Sequence, residues 1–189
     1  MNKLSSKIIT IIVLCVIFLF SVANGAELTL NNTLTQVCFS PNGGCTETIV
    51  NQIETAKSEI LVQAYSFTSA PIAKALVNAH KRGVKVEAIL DKSQKSERYT
   101  SATFISNAGI PTYIDSKHAI AHNKIMIIDK ETVITGSFNF TKAAEEKNAE
   151  NLLILRNKDL AVLYLINWEN HRGRSERIPE YEHIKRGNY

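Results

Sequence analysis

Residues 60–91 read ILVQAYSFTSAPIAKALVNAHKRGVKVEAILD. Residues 60–65 form an apolar run of strand length. From Ser69 or Ala70 to Arg82 the apolar positions recur at helical spacing, with Pro71 in the first turn and Gly83 as the stop. Residues 84–90 alternate, are rich in β-formers and close at Asp91. Strand, helix and strand in this order make a crossover unit, so the two strands are expected to run parallel.

The alternation continues outward. Residues 46–58 have helical spacing, with Ile49, Ile53 and Ala56 on one side and Thr46 as a cap. Residues 99–107 read as a helix that stops at Gly109, and residues 111–114 as a brief strand. Residues 120–129, 132–139 and 150–156 read as strands, and residues 159–171 as the last helix, with Trp168 in core or dimer packing. The expected fold is α/β: one domain with a mixed, mostly parallel sheet flanked by helices.

Of 189 residues, 44% are hydrophobic and 21% charged, which excludes whole-chain disorder, collagen and disulfide-dense miniature scaffolds. The formal charge of +4 hints at an anionic partner only weakly. Its distribution matters more. Lys3 and Lys7 precede an apolar run at 8–20, followed by small and polar residues through Ala26. This is the pattern of a secretory signal peptide, here residues 1–26. The run spans roughly 20 Å as a helix, short of the ~30 Å hydrocarbon core. Its removal takes two lysines and no acids, leaves +2, and sends the mature chain to the periplasm or outside the cell. Cys38 and Cys45 then meet an oxidising compartment, and the turn-rich 40–44 segment between them favours a disulfide. No second cysteine pair accompanies them for a zinc site.

The polar residues of two adjacent strands carry the chemistry. His122 and Lys124 share parity, as do Ser137 and Asn139. A two-residue turn at Lys130-Glu131 pairs Asp129 with Thr132, His122 with Asn139 and Lys124 with Ser137. The result is a square of imidazole, ammonium, hydroxyl and amide. Lysine, hydroxyl and amide can donate to phosphodiester oxygens. A neutral imidazole can attack phosphorus, and a second one can protonate the leaving oxygen. His118, with the parity of His122, is one source of that second ring. Asp129 has odd parity and reads as a structural group at the turn. No metal-binding cluster is evident, so metal-free chemistry without a cofactor is expected.

His-x-Lys-x4-Asp followed by x6-Gly-Ser-x-Asn is complete at His122, Lys124, Asp129, Gly136, Ser137 and Asn139. This resembles the HKD motif of the phospholipase D superfamily. Residues 65–68, 136–142 and 148–151 resemble its small bacterial endonuclease subgroup, and the likeness covers roughly residues 35–172. The resemblance implies an α-β-α sandwich and a phosphodiesterase working through a phosphohistidine, with His122, Lys124 and Asp129 in the catalytic motif. It implies Ser137 and Asn139 at the phosphate and Glu150 holding the imidazole. One motif per chain implies a homodimer with one shared site, built from two copies of His122. The motif serves nucleases and lipid enzymes alike. A nuclease should show a basic rim, for which Lys92, Lys95, Arg98, Lys142 and Lys147 are candidates. An enzyme acting on a phospholipid membrane surface should show an apolar rim. Tyr65 and Phe67 read as packing residues. The leading expectation is DNA, with RNA as a further nucleic acid substrate and phospholipid as the alternative.

Overall fold

The computed structural model describes residues 25–95 and 101–178. The expected signal segment therefore lies outside the described residues except for Gly25 and Ala26, as do Arg98 and His183. The elements in chain order are β1 (Leu34–Ser40), α1 (Cys45–Thr55), β2 (Glu59–Ala64), α2 (Ala70–Lys81), β3 (Lys85–Asp91) and, after a 3-10 turn, α3 (Ser101–Asn107). There follow β4 (Thr112–Asp115), β5 (Lys124–Ile128), β6 (Thr132–Gly136), α4 (Lys142–Glu146), β7 (Glu150–Arg156), α5 (Lys158–Arg172) and β8 (Glu176–Arg177).

All eight strands join one sheet in the order β1-β7-β6-β5-β2-β3-β4-β8. Helices cover both faces. Ile60, Val62, Val86, Leu90, Met126 and Ile128 pack toward Ile49 and Ile53 of α1 and Ile72 and Leu76 of α2. Leu61, Ile89, Ile125, Ile127 and Val133 pack toward Ala161 and Trp168 of α5. This even–odd split is the two-residue period of a strand, and burial on both faces explains why β2 and β5 read as unbroken apolar runs. Trp168 is core, with its indole N–H donating to the Val62 carbonyl at 2.9 Å.

The β2–β3 crossover is parallel, as expected, and β3–β4 follows the same rule through α3. The other five neighbouring pairs are antiparallel, so the expectation of a mostly parallel sheet is corrected. Connection length explains one of these pairs. A parallel pair needs a crossover of about a dozen residues, whereas β5 and β6 are joined by three, which allow only a hairpin. The order also places β5 beside β2, 60 positions earlier in the chain.

β1 was not expected. It pairs with β7 at the sheet edge and leaves Leu34, Val37 and Phe39 exposed. The Cys38 and Cys45 sulfurs are bonded to each other and tie this strand to the start of α1.

Candidate active site

His122 lies in the extended segment just before β5, and Lys124 opens that strand. The expected strand over 120–129 begins later because its first residues are held by other groups. The Asp91 carboxylate accepts the Ala121 N–H at 2.7 Å, and the Asn123 carbonyl accepts the Tyr65 N–H at 2.8 Å. Asp91 sits at the end of β3, so two neighbouring strands fix the backbone on either side of His122.

The His122 side chain is exposed, while Lys124 keeps only 7% of its surface. Lys124 Nζ donates to the His122 carbonyl at 2.7 Å and lies 4.9 Å from the centre of the Tyr65 ring. The Tyr65 and His122 rings are 4.6 Å apart and tilted by 55°. Burial lowers the lysine pKa, and the negative charge of Glu150 opposes that shift without cancelling it. Tyr65 is therefore a site residue that its sequence context did not reveal. Its place depends on β2 lying beside β5, which is a long-range fact. Phe67 is wholly buried, as its reading as packing expected.

The hairpin register is one residue away from expectation. Ile128 pairs with Thr132 and Met126 with Ile134, not Asp129 with Thr132. The connection has three residues, with Asp129 and Lys130 both at positive φ and the Glu131 N–H donating to the Ile128 carbonyl. Continued upward, this ladder sets Lys124 beside Gly136, so the expected facing of Lys124 with Ser137 and His122 with Asn139 is corrected. A second local feature then moves Ser137 and Asn139. The N–H groups of Ser137 and Phe138 both donate to the Asn151 carbonyl, a bulge that breaks strand parity. Gly136 enters it at φ 145, where a Cβ would collide with the Asn151 carbonyl. The motif's glycine is thus a steric requirement.

Ser137 is exposed, and its Oγ accepts the Asn151 N–H at 3.1 Å. That acceptance leaves its own O–H to donate elsewhere. Asn139 has one buried amide terminus, Oδ1, without a partner. A buried amide terminus of this kind is costly unless a ligand satisfies it. Glu150 opens β7, and its carboxylate accepts from the Asn148 side-chain N–H at 3.1 Å. Within one chain, among the described residues, no hydrogen bond joins it to the His122 ring.

Asp129 lies at the other end of β5. It is seven positions from His122, roughly 23 Å at ~3.3 Å per residue. Its carboxylate accepts the N–H groups of Lys57, Ser58 and Glu59 and the Ser58 hydroxyl, at 2.7–3.2 Å. It joins the turn before β2 to the turn after β5. His118 is likewise committed elsewhere: its Nδ1 lies 2.9 Å from Asp115 Oδ2, and its ring faces His171.

Residues 49–170 match the family model for the cardiolipin synthase, PLD-like domain. The chain belongs to the phospholipase D-like family. It is 46% identical over 143 residues to the phospholipase D of Rickettsia conorii, spanning 76% of this chain and 72% of that one. The mouse mitochondrial cardiolipin hydrolase is 32% identical over 114 residues, 60% of this chain and 52% of that one. Nuc from Salmonella typhimurium, a phospholipase D family member, superposes with a TM-score of 0.75 at 41% identity, covering 78% of this chain and all but 1% of that one. The chain is a phosphodiesterase hydrolase of this PLD-like family. The α/β sheet and its flanking helices are those of the family fold.

Proposed function

We propose that the mature chain is an exported homodimeric nuclease that cleaves nucleic acid backbones through a phosphohistidine at His122. The observation that carries this reading is the exposed His122 imidazole with the Lys124 ammonium held 2.7 Å from its carbonyl and the Tyr65 ring packed against both. Lys124 spends one N–H on the His122 carbonyl and keeps two. Ser137, just past the following strand, keeps its O–H to donate. None of these groups reads a base, which suits a substrate recognised by its backbone.

In the proposed reaction the neutral His122 imidazole attacks phosphorus. A P–N bond forms, the P–O bond to the leaving alkoxide breaks, and Lys124 offsets the charge on the non-bridging oxygens. The alkoxide takes a proton from the His122 imidazolium of the second copy. That ring, now neutral, takes a proton from water as the water attacks phosphorus, and the P–N bond breaks. One chain supplies one motif, and His118 is turned toward Asp115, so a second copy is the natural source of the second ring. Glu150 is assigned to orient the imidazole in the assembled dimer. The chemistry uses side chains throughout and calls for no metal or cofactor.

A second reading, phospholipid hydrolysis, has specific support. Phe39 is 67% exposed opposite Asn151, and Ile120 is 58% exposed two residues before His122. Among the expected basic rim residues, Lys95 lies 3.7 Å from Glu176 and Lys142 lies 3.5 Å from Glu146. The Rickettsia relative is itself named a phospholipase D.

The test incubates purified mature protein in EDTA with plasmid DNA, RNA and phosphatidylcholine vesicles, beside His122→Ala. DNA cutting that the variant lacks is the expected result. Lipid turnover without DNA cutting would overturn the substrate assignment. Loss of all activity in EDTA with the thermal midpoint unchanged would overturn the side-chain mechanism, and an active monomer would overturn the shared site.

A further inference from the structure

Away from the phosphate-directed groups, three residues converge where the end of β4 meets the end of α5. Asp115 closes β4 and is 1% exposed. Its Oδ1 faces the N–H groups of Lys117 and His118 at 3.2 and 3.4 Å, which orients the carboxylate. Its Oδ2 lies 2.9 Å from His118 Nδ1 and 2.8 Å from His171 Nδ1. The two imidazole rings face each other at 4.8 Å with a tilt of 34°. One ligand atom from each of the three residues fits within a 4.8 Å span.

We propose that Asp115, His118 and His171 form a binding site for one borderline divalent transition-metal ion, with Zn²⁺ as the type. The donor set is two imidazoles and one carboxylate, which suits such ions and not calcium or magnesium. Tetrahedral bonds of about 2.1 Å place ligand atoms roughly 3.4 Å apart, so each imidazole nitrogen would draw back by about half an ångström from its present 2.8–2.9 Å contact with the carboxylate. Binding requires each ring to present its Nδ1 lone pair to the ion, with the ring proton on Nε2. The buried carboxylate is already oriented by backbone, as metal-bound carboxylates usually are. The His118 side chain is 42% exposed, which opens the site to an ion from solution and to water as a further ligand.

The location gives the site a structural consequence. Residues 116–123 form the segment that delivers His122. It is fastened at Ala121 by Asp91 and at its start by the Asp115–His118 contact. His171 belongs to α5, on the other face of the sheet from most helices. An ion here would clamp the His122-bearing segment to that helix.

The experiment uses the mature chain, stripped with chelator and dialysed, then titrated with Zn²⁺ by calorimetry and with Co²⁺ by visible absorption. The expected result is one ion per chain, a rise in the thermal midpoint, and affinity at least tenfold weaker in His118→Ala and in Asp115→Asn. His122→Ala should bind Zn²⁺ as the unaltered chain does. The half-exposed His118 is the safer substitution, and a circular dichroism spectrum checks its fold. No saturable binding, or equal affinity in folded His118→Ala, would overturn the site. Loss of binding in His122→Ala would place the ion at the catalytic imidazole and overturn it as well.

Discussion

Asp129→Asn separates two roles that the HKD motif leaves merged. In the chain, Asp129 Oδ1 accepts the Ser58 N–H at 2.7 Å, the Ser58 hydroxyl at 2.7 Å and the Glu59 N–H at 3.0 Å. Oδ2 accepts the Lys57 N–H at 2.9 Å. Asparagine can keep the contacts at Oδ1, including the longer one from the Lys57 N–H at 3.2 Å, but its NH₂ would face that N–H at the shorter position, donor against donor. One hydrogen bond to a charged group is lost, about 1.5–3 kcal/mol, and the others lose their charge assistance. A domain of this size loses ~2–4 °C of Tm per kcal/mol, so the fall should be about 4–10 °C. The acid limb adds a second signature. Burial alone would raise the Asp129 pKa, but the Ser58 hydroxyl and the N–H groups of residues 57–59 outweigh it and hold the pKa below the ordinary 3.8. The stabilisation is then complete above the ordinary carboxylate pKa and lost as pH falls through the depressed one. The gap in stability between the two proteins should therefore narrow in acid. Thermal unfolding across pH and kcat/KM at 25 °C measure both. Activity should stay within about threefold, because the carboxylate is roughly 23 Å along β5 from His122. A hundredfold loss of kcat with an unchanged Tm would refute the reasoning and make Asp129 a catalytic group.

Three further outcomes follow from the same contacts. Glu150→Gln removes the charge that supports the Lys124 proton, so the alkaline limb of kcat/KM should move to lower pH; an unmoved or raised limb contradicts the coupling. Asp91→Asn weakens the hold on the Ala121 N–H beside His122, and kcat should fall about tenfold with KM less affected; the cost in stability should be about 1.5–3 kcal/mol by urea unfolding. Reduction of Cys38–Cys45, seven positions apart, should cost roughly 2–3 kcal/mol by chain entropy, seen as a Tm lower by about 5–10 °C in reductant.

Local signals account for what was legible in the chain. Gly83 and Pro71 bracket α2 to within a residue, and the strand–helix–strand order of 60–91 correctly implied a parallel pair. The spacing of His122, Lys124, Gly136, Ser137 and Asn139 pointed to the family directly. The parity of Asp129 was enough to doubt its contact with His122, and it does point to the turn before β2. Local reading failed where one backbone torsion sets a register. Positive φ at Asp129 and Lys130 makes a three-residue connection in place of two, and the bulge after Gly136 then changes which faces Ser137 and Asn139 occupy.

The amino-acid sequence by itself determined the residue types of the site, the covalent order of the elements and the parity of each strand, because side-chain period and turn chemistry act within a few residues. Only the tertiary structure decided that Tyr65 packs on His122 and Lys124, that Asp91 holds the backbone before His122, and that Asp115 meets His171 across 56 positions. Those contacts depend on strand order in the sheet, which is set by burying two faces at once under helices from both ends of the chain. No window of sequence holds that information, since it resides in which distant apolar surfaces fit together.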